Sequence, residues 1–322
     1  MAGDAFGREV LRLAVPAFGA LVAPSLLILS DSAFVGTLGT DALAGLATGG
    51  AAFSVAVSLS YFLAYATTSV VARRFGAGQE REAIADGLND IALGLLIGVV
   101  PAALLWGFAE EVSRWIGASP EVLPYATDWL RAVAFGAPAA MASMATIGLF
   151  RGLQDTRITF FVTTTQVMAN IALCAWLVFA ADMGIVGAGI ATALAETLGF
   201  GIYFLMLARH ARRLHAPIYP THVRHLGAAM KTGLPLLWRS FSLREVLMGT
   251  TVVAARLGTS ELAAFNVSLQ MWYVLSNLLD AIAIAAQAIV GRRLGASEGH
   301  LVHDLVNRLL RWSILYGAIV GS

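Results

Sequence analysis

The sequence predicts an all-α polytopic membrane protein: a two-lobed bundle of parallel six-helix repeats, with the first lobe complete and the second partial. Three observations predict it. Of 322 residues, 58% are hydrophobic and only 13% charged, whereas a soluble domain carries about 25% charged residues. The apolar residues also come in blocks of the roughly 20 residues that a helix needs to cross a bilayer. Finally, the chain repeats itself at a shift of 219 residues.

Apolar blocks fall near 10–36, 46–71, 87–108, 128–150, 159–180, 185–208, 233–256 and 264–289, giving eight complete spans, and a ninth begins near 305. The first block is the most instructive. From Leu13 to Ser30 it carries no charge, and it holds Pro16 and Pro24. Each proline removes an intrahelical hydrogen bond and favours a kink, so these two are the predicted hinge positions. One carboxylate, Asp31, follows at membrane depth. A charge there costs about 2.5–3.5 kcal/mol on insertion scales, so it calls for a partner, a proton or a bound cation. The preceding segment, MAGDAFGREVLRLA, mixes two acids with two arginines and shows no cleavage pattern, which reads as a retained span and not a signal peptide.

Arginine placement predicts the orientation. Arg8 and Arg12 precede span one, Arg73, Arg74 and Arg81 follow span two, and Arg151 and Arg157 follow span four. Arg209, Arg212, Arg213, Arg224 and Lys231 separate spans six and seven, and Arg292, Arg293, Arg308 and Arg311 follow span eight. The alternate loops hold only Arg114 and Arg256, while Arg131, Arg239 and Arg244 fall within spans. The N-terminus is therefore expected in the cytoplasm, with the chain in the cell membrane. The basic, proline-bearing stretch before span seven reads as a linker, which gives an N-terminal lobe over 1–208, a cytoplasmic linker over 209–230 and a partial C-terminal lobe over 231–322. Its histidines, His210, His215, His222 and His225, have no neighbouring cysteine or acid to complete a metal site and read as solvated loop.

A net charge of +1 offers no field for nucleic acid; the expected partners are the lipid bilayer and a small organic substrate. The lone Cys174 excludes an intrachain disulfide and reads as a small buried residue. No HExxH, GxSxG or paired aspartate-rich motif occurs, so no enzymatic chemistry is expected. Gly187-Ala-Gly189-Ile-Ala-Thr192 lacks the last glycine and the preceding strand of a dinucleotide fingerprint, and reads as small residues entering span six.

The 219-residue shift lays Pro16 on Pro235, Leu38-Gly39-Thr40 on Leu257-Gly258-Thr259, and VARRFGA (Val71–Ala77) on VGRRLGA (Val290–Ala296). It covers six spans, an even number, so the two copies share one orientation. Parallel repeats of this kind build two-lobed transporters. A full second copy would need more residues than remain after Lys231, so the chain is expected to be C-terminally shortened.

The repeat also aligns two polar stripes. Ser54, Ser58, Tyr61, Tyr65 and Thr68 fall on one helical face of span two, and Tyr273, Asn277, Asp280, Ile284 and Gln287 occupy the matching positions of span eight. Packing accounts for serines and threonines; Asn277, Asp280 and Gln287 together point instead to a water-filled substrate cavity between the lobes. Four acids are read at membrane depth: Asp31, Glu196, Glu245 and Asp280. Thr250 stands where the second copy would carry the equivalent of Asp31, so the fold does not require that carboxylate. Glu245 adjoins Arg244 and lies near Arg239, which suits a local ion pair.

DSAFVGTLGTDALAGLA (Asp31–Ala47), ARRFGAG (Ala72–Gly78), FRGLQDTR (Phe150–Arg157) and NIALC with GIVGAGIATALAE (Asn170 to Glu196) together resemble the multidrug and toxic compound extrusion family, in particular its DNA-damage-inducible protein F branch. The resemblance covers essentially the whole chain. It implies twelve helices in two lobes arranged as a V, and export of organic, often cationic compounds in exchange for protons or sodium ions, with no cofactor beyond that ion. It further implies an ion site on Asp31, Asn170, position 174 and Thr192. Cys174 departs from the aspartate that many relatives carry. One carboxylate with an amide and a hydroxyl is a poor cage for sodium but sufficient for a proton, because desolvation favours a protonated carboxyl. The expectation is thus H⁺-driven efflux through Asp31. The alternatives are a lipid-linked oligosaccharide flippase of related architecture, which more basic residues in the cavity would favour, and a non-transporting truncated product.

Overall fold

The computed structural model describes residues 2–216 and 259–321, together with positions 238, 242, 246, 249, 250 and 253 between them. Pro235, Arg239, Arg244, Glu245, Arg256, nearly all of span seven and most of the 209–230 linker lie outside the described residues.

Helix α1, Ala2–Gly36, runs through both Pro16 and Pro24. The second span is two helices, α2 (Thr40–Ser58) and α3 (Tyr61–Gly76), interrupted at Leu59 and Ser60. Helix α4 (Glu80–Gly107) is followed by the short amphipathic α5 (Ala109–Ile116), whose Trp115 is 88% exposed, as suits an aromatic residue at a membrane–water boundary. The fourth span divides into α6 (Leu123–Ala134) and α7 (Ala137–Gly152), bent by 55°. Pro138 in the first turn of α7 explains the break, since it lacks an N–H and crowds the preceding turn. Helix α8 (Thr156–Ala175) starts on an Asp155 cap that accepts from the Ile158 N–H, and ends in a π-helical turn, Trp176–Ala180. Helices α9 (Gly184–Arg213), α10 (Thr259–Gly295) and α11 (Gly299–Gly321) complete the described chain.

Among the described residues six helices are long and apolar enough to cross a membrane, and the bent α6–α7 pair makes a seventh. These are spans one to six and span eight of the sequence reading. Large apolar side chains such as Leu26, Ile28, Leu29, Leu96 and Val100 stay more than half exposed. Contiguous apolar surface of this kind fits lipid and not water.

The first lobe packs through glycine. On α4, a Cβ at Gly87 would meet the Leu149 side chain, one at Gly94 would lie 2.9 Å from the Ala142 Cα, and one at Gly98 would lie 2.5 Å from the Pro138 Cα. The spacing of seven and four places all three on one face, so α4 and α7 approach backbone to backbone, as small residues allow between membrane helices. Gly94→Leu is therefore expected to cost about 1–3 kcal/mol or more by overpacking. The check is the melting temperature of the purified protein in detergent; an unchanged value would contradict this packing.

Apolar packing divides into three clusters. One joins Val35, Phe53, Trp129, Leu130, Cys174 and Ile185 at one end of the first lobe. A second joins Leu63, Ile84, Leu149, Phe150, Tyr203 and Leu207 at the other. The third lies between lobes: Val10, Leu13, Ala14 and Ala17 of α1 pack on Ala281, Ile284, Ala285, Ala288 and Ile289 of α10 and on Leu309 of α11. Helix α1 thus belongs to both halves. Its first turns seal the lobe interface, and its last turns sit in the core of the first lobe.

Candidate functional site

The two copies of the RR[FL]GA motif face each other. A Cβ on Gly76 would lie 1.9 Å from the Arg292 carbonyl oxygen, and one on Gly295 would lie 2.0 Å from that of Arg73. Under the 219-residue shift Gly76 corresponds to Gly295 and Arg73 to Arg292, so the contact is reciprocal, as at a two-fold interface. Local structure repeats as well. The Arg74 guanidinium donates to the Gln79 Oε1 at 2.8 Å, and Arg293, its counterpart, donates to Glu298. Each turn contains a residue in the left-handed region, Gly78 at φ 73° and Ser297 at φ 62°.

Cross-lobe polar contacts surround this clasp. Arg292 pairs with Glu9 of α1 and donates to the Gln154 Oε1 at 2.8 Å. Gln154 in turn donates to the Ala288 carbonyl; beside it, within the first lobe, the Thr156 hydroxyl donates to the Leu13 carbonyl at 3.0 Å. Further along, the Gln287 side-chain amide donates at 2.8 Å to both the Tyr65 carbonyl and the Ser69 hydroxyl.

Exposure of the two polar stripes is graded accordingly. Ser54 is exposed, Ser58 half-buried, Tyr61 exposed, Tyr65 half-buried and Thr68 buried; opposite, Tyr273 is exposed, Asn277 half-buried, Asp280 exposed, Ile284 buried and Gln287 half-buried. The lobes touch at the arginine-bearing end and leave the stripes more open away from it. Two of the nine polar stripe positions depart from a cavity lining. The Thr68 hydroxyl donates to the Ala64 carbonyl and contacts that of Gly148, inside the first lobe. Gln287 bridges the two lobes. Both sit where the helices converge, which leaves no room for a cavity.

The residues grouped around Asp31 do come together. Asp31 is 4% exposed and its Oδ1 has no hydrogen-bond partner, while its carboxyl interacts with the Cys174 thiol on α8. One turn before Cys174, Asn170 is fully buried; its amide N–H donates to the Thr192 hydroxyl of α9 at 3.2 Å, and Thr192 donates to the Ala188 carbonyl. The Asn170 Oδ1 is also buried without a partner. Two buried oxygens, one of them a carboxylate's, therefore lack donors in the same helix group, a costly arrangement that a proton, a cation or ordered water relieves. Phe34 packs edge-to-face on Phe179 of the π-turn, with centroids 5.7 Å apart, and fixes this end of α1 on α8. Pro24 is exposed and the following Leu26, Ile28 and Leu29 have little packing, so α1 is least restrained just before Asp31. Thr250, the repeat counterpart, is exposed, and its hydroxyl donates to the Val246 carbonyl.

Glu196 is half-buried on α9 and interacts with Gln166 of α8 within the first lobe. Two charged residues escaped the sequence reading. Asp90 of α4 is buried and accepts a 2.8 Å hydrogen bond from the Thr67 hydroxyl. The signal was present: Asp90 shares the helical face of Ala83, Gly87 and Gly94, the face turned to α7 and α3. Arg151, read as a loop residue after span four, lies inside α7 and is 8% exposed. It belongs to the last turn of a helix that outruns its apolar block.

The MatE family model matches residues 16–176 and again 236–322, one match for each copy of the repeat. Protein DETOXIFICATION 43 of Arabidopsis thaliana is 29% identical over 98% of this chain and 70% of its own length. DNA damage-inducible protein F of Escherichia coli K12 is 28% identical over 95% of this chain and 68% of its own length. A probable multidrug resistance protein NorM of Aromatoleum aromaticum is 31% identical, with 84% of this chain and 60% of that protein covered. Crystal structures of MATE in the bent and the straight conformations both superpose with a TM-score of 0.85 at 20% identity, covering 97–98% of this chain and 71% of theirs. Two-lobed all-helical architecture, repeat and relatives agree: this chain belongs to the MatE family of multi-pass membrane transporters.

Proposed function

We propose that the protein exports organic, cationic or amphipathic compounds across the bacterial inner membrane in exchange for protons, with Asp31 as the coupling residue. One observation carries this reading. The buried Asp31 carboxyl, with its unsatisfied Oδ1, sits on the same helix whose first turns seal the interface between the lobes. A proton on Asp31 removes a charge and turns an acceptor into a donor, next to Cys174 and the Asn170–Thr192 pair. The lightly packed stretch after Pro24 can absorb the resulting bend, and α1 carries it to Val10, Leu13 and Ala17 against α10. Substrate would occupy the space lined by Ser54, Ser58, Tyr61, Tyr65, Tyr273, Asn277 and Asp280. The arginine-bearing clasp, and the N-terminus with it, faces the cytoplasm in this reading, with lobes at 1–208 and 231–322 joined by the 209–230 linker. Coupling requires only that the proton bind one lobe arrangement more tightly than the other.

The ion preference rests on Cys174. Its thiol is a poor ligand for a hard cation, which takes several oxygens, so the site offers one carboxylate. In proteoliposomes a pH gradient alone is expected to drive ethidium transport and a sodium gradient alone is not; transport on sodium without a pH gradient would overturn proton coupling. Cys174→Asp adds a second carboxylate beside the first and is expected to create sodium dependence, read as a melting temperature that rises with sodium in the variant and not in the wild type.

A further inference from the structure

A cavity of about 300 Å³ opens at the foot of α1 and α8, lined by Arg12 and Leu13 of the first helix and by Gln154, Asp155, Thr156 and Arg157 at the α7–α8 turn. It lies where the chain enters the membrane. Arg12 directly precedes the uncharged run Leu13–Ser30, and Arg157 stands in the first turn of the apolar helix Thr156–Ala180. One hydrogen bond ties the two helices together here. The Thr156 hydroxyl donates to the Leu13 carbonyl at 3.0 Å, and each arginine is the chain neighbour of one of these residues.

Charge in the cavity does not balance. Asp155 is the one acid among these lining residues, and its carboxylate accepts from the Ile158 N–H at 3.4 Å, capping α8. Arg292 and Arg293 are paired with Glu9 and Glu298, whereas Arg12 and Arg157 are exposed and make no hydrogen bond or ion pair among the described residues. A guanidinium is a flat fork of donors whose natural complement is a phosphate or carboxylate. Beside and below the arginines the surface turns apolar: Leu11 and Val15 of α1 and Phe160 and Phe161 of α8 are exposed. Phe160 crosses α1 at Gly19, where a Cβ would lie 2.5 Å from its ring, so the apolar strips of the two helices join. A free phosphate ion has no use for such a strip. A phospholipid fits both parts, with its headgroup at the arginines and its chains below.

We propose that this cavity holds the headgroup of an anionic phospholipid, with Arg12 and Arg157 on its phosphate and its acyl chains on the strip of Leu11, Val15, Phe160 and Phe161. Basic pockets between membrane helices recognise anionic headgroups in this way. Gln154 forms part of the cavity wall, and it also donates to the Ala288 carbonyl and accepts from Arg292 in the second lobe. A bound headgroup therefore braces the contact between the lobes, and its binding stabilises the folded protein by mass action.

The melting temperature of the purified protein in a neutral detergent tests the proposal, titrated separately with phosphatidylglycerol, phosphatidylcholine and inorganic phosphate. Phosphatidylglycerol is expected to raise it to a plateau, and the other two to leave it nearly unchanged. The double variant Arg12→Gln/Arg157→Gln is expected to need about tenfold more phosphatidylglycerol, or more, for half the effect, because each arginine contributes separately to holding the anion. Arg81→Gln/Arg212→Gln removes two other exposed arginines and should titrate like the wild type. Should the first double variant not fold, the single variants Arg12→Gln and Arg157→Gln decide, each expected to need more lipid than the wild type. An equal rise with inorganic phosphate would overturn the lipid as occupant, and an equal rise with phosphatidylcholine would overturn recognition of net charge. Wild-type titration by the Arg12 and Arg157 variants, or an equal weakening in the control pair, would overturn the site. The efflux reading is tested separately and stands under each of these outcomes.

Discussion

Replacing Asp31 with asparagine is expected to lower proton-driven efflux by about 5- to 150-fold, the range of a typical coupling free energy of 1–3 kcal/mol. Asparagine keeps the shape of the side chain and cannot change charge. The variant should therefore fold as well as the wild type, or better, because an unpaired carboxyl at 4% exposure, with one oxygen lacking a donor, is a liability to the folded state. Substrate binding should persist, because the stripes between the lobes are untouched. The measurement is dye transport into or out of proteoliposomes under an imposed pH gradient, with dye binding and melting temperature taken on the same preparation. Retained binding with lost transport is the expected pattern. Undiminished transport would remove Asp31 from coupling altogether, and joint loss of binding, folding and transport would assign it a structural role. Asn170 and Thr192 give a graded control: Thr192→Val removes the acceptor of the 3.2 Å bond from Asn170 and the donor to the Ala188 carbonyl, but no charge, and should alter the rate less than loss of the carboxyl.

How far the sequence foresaw this site depends on what each signal measures. Asp31 was visible because an isolated acid at the end of an uncharged run is costly wherever the helix packs. Its neighbours were not derivable from spacing; Asn170, Cys174 and Thr192 lie on two other helices, and only resemblance to known proteins brought them together. Arg151 falls just outside its apolar block, which ends at 150, whereas α7 runs on to Gly152. Asp90 lies inside the block 87–108, and its burial depends on α4 packing that face against α3 and α7, where Thr67 donates to it. The bend at residues 135–136 likewise needed tertiary context. Pro138 announces a break, but the angle depends on Gly136 meeting Ala193 and on Gly98 meeting Pro138. The repeat was legible in full. Its physical reason was not: a shift of the sequence shows that two segments are alike, and cannot show that they are alike because they bind each other.

That mutual binding sets the second large effect. A Cβ added to Gly76 or to Gly295 meets a carbonyl oxygen at about the length of a hydrogen-bond contact to hydrogen, 1.9 and 2.0 Å, and neither obstacle is a side chain that can swing away. To restore ordinary contact, α3 and α10 must part by more than an ångström at their closest approach. The reach of Gln287 to Tyr65 and of Arg292 to Glu9 and Gln154 is lost with it. Gly76→Ala and Gly295→Ala are each expected to disfavour the clasped arrangement by about 1–3 kcal/mol, the usual cost of overpacking, and so to populate the state in which this end is open. Ala288 reports on it, because it is fully buried at the lobe interface. With Cys174 replaced by alanine, a cysteine at Ala288 should resist a membrane-impermeant maleimide in the parent and react in either glycine variant. The two substitutions break one clasp, so the double variant should open little further than the singles, a non-additivity that independent sites do not show. A protected Ala288→Cys in Gly76→Ala, with transport at the parental rate, would mean that the glycines serve only helix packing. Additive opening would mean that the two halves of the contact act separately and the reciprocal clasp is not a unit.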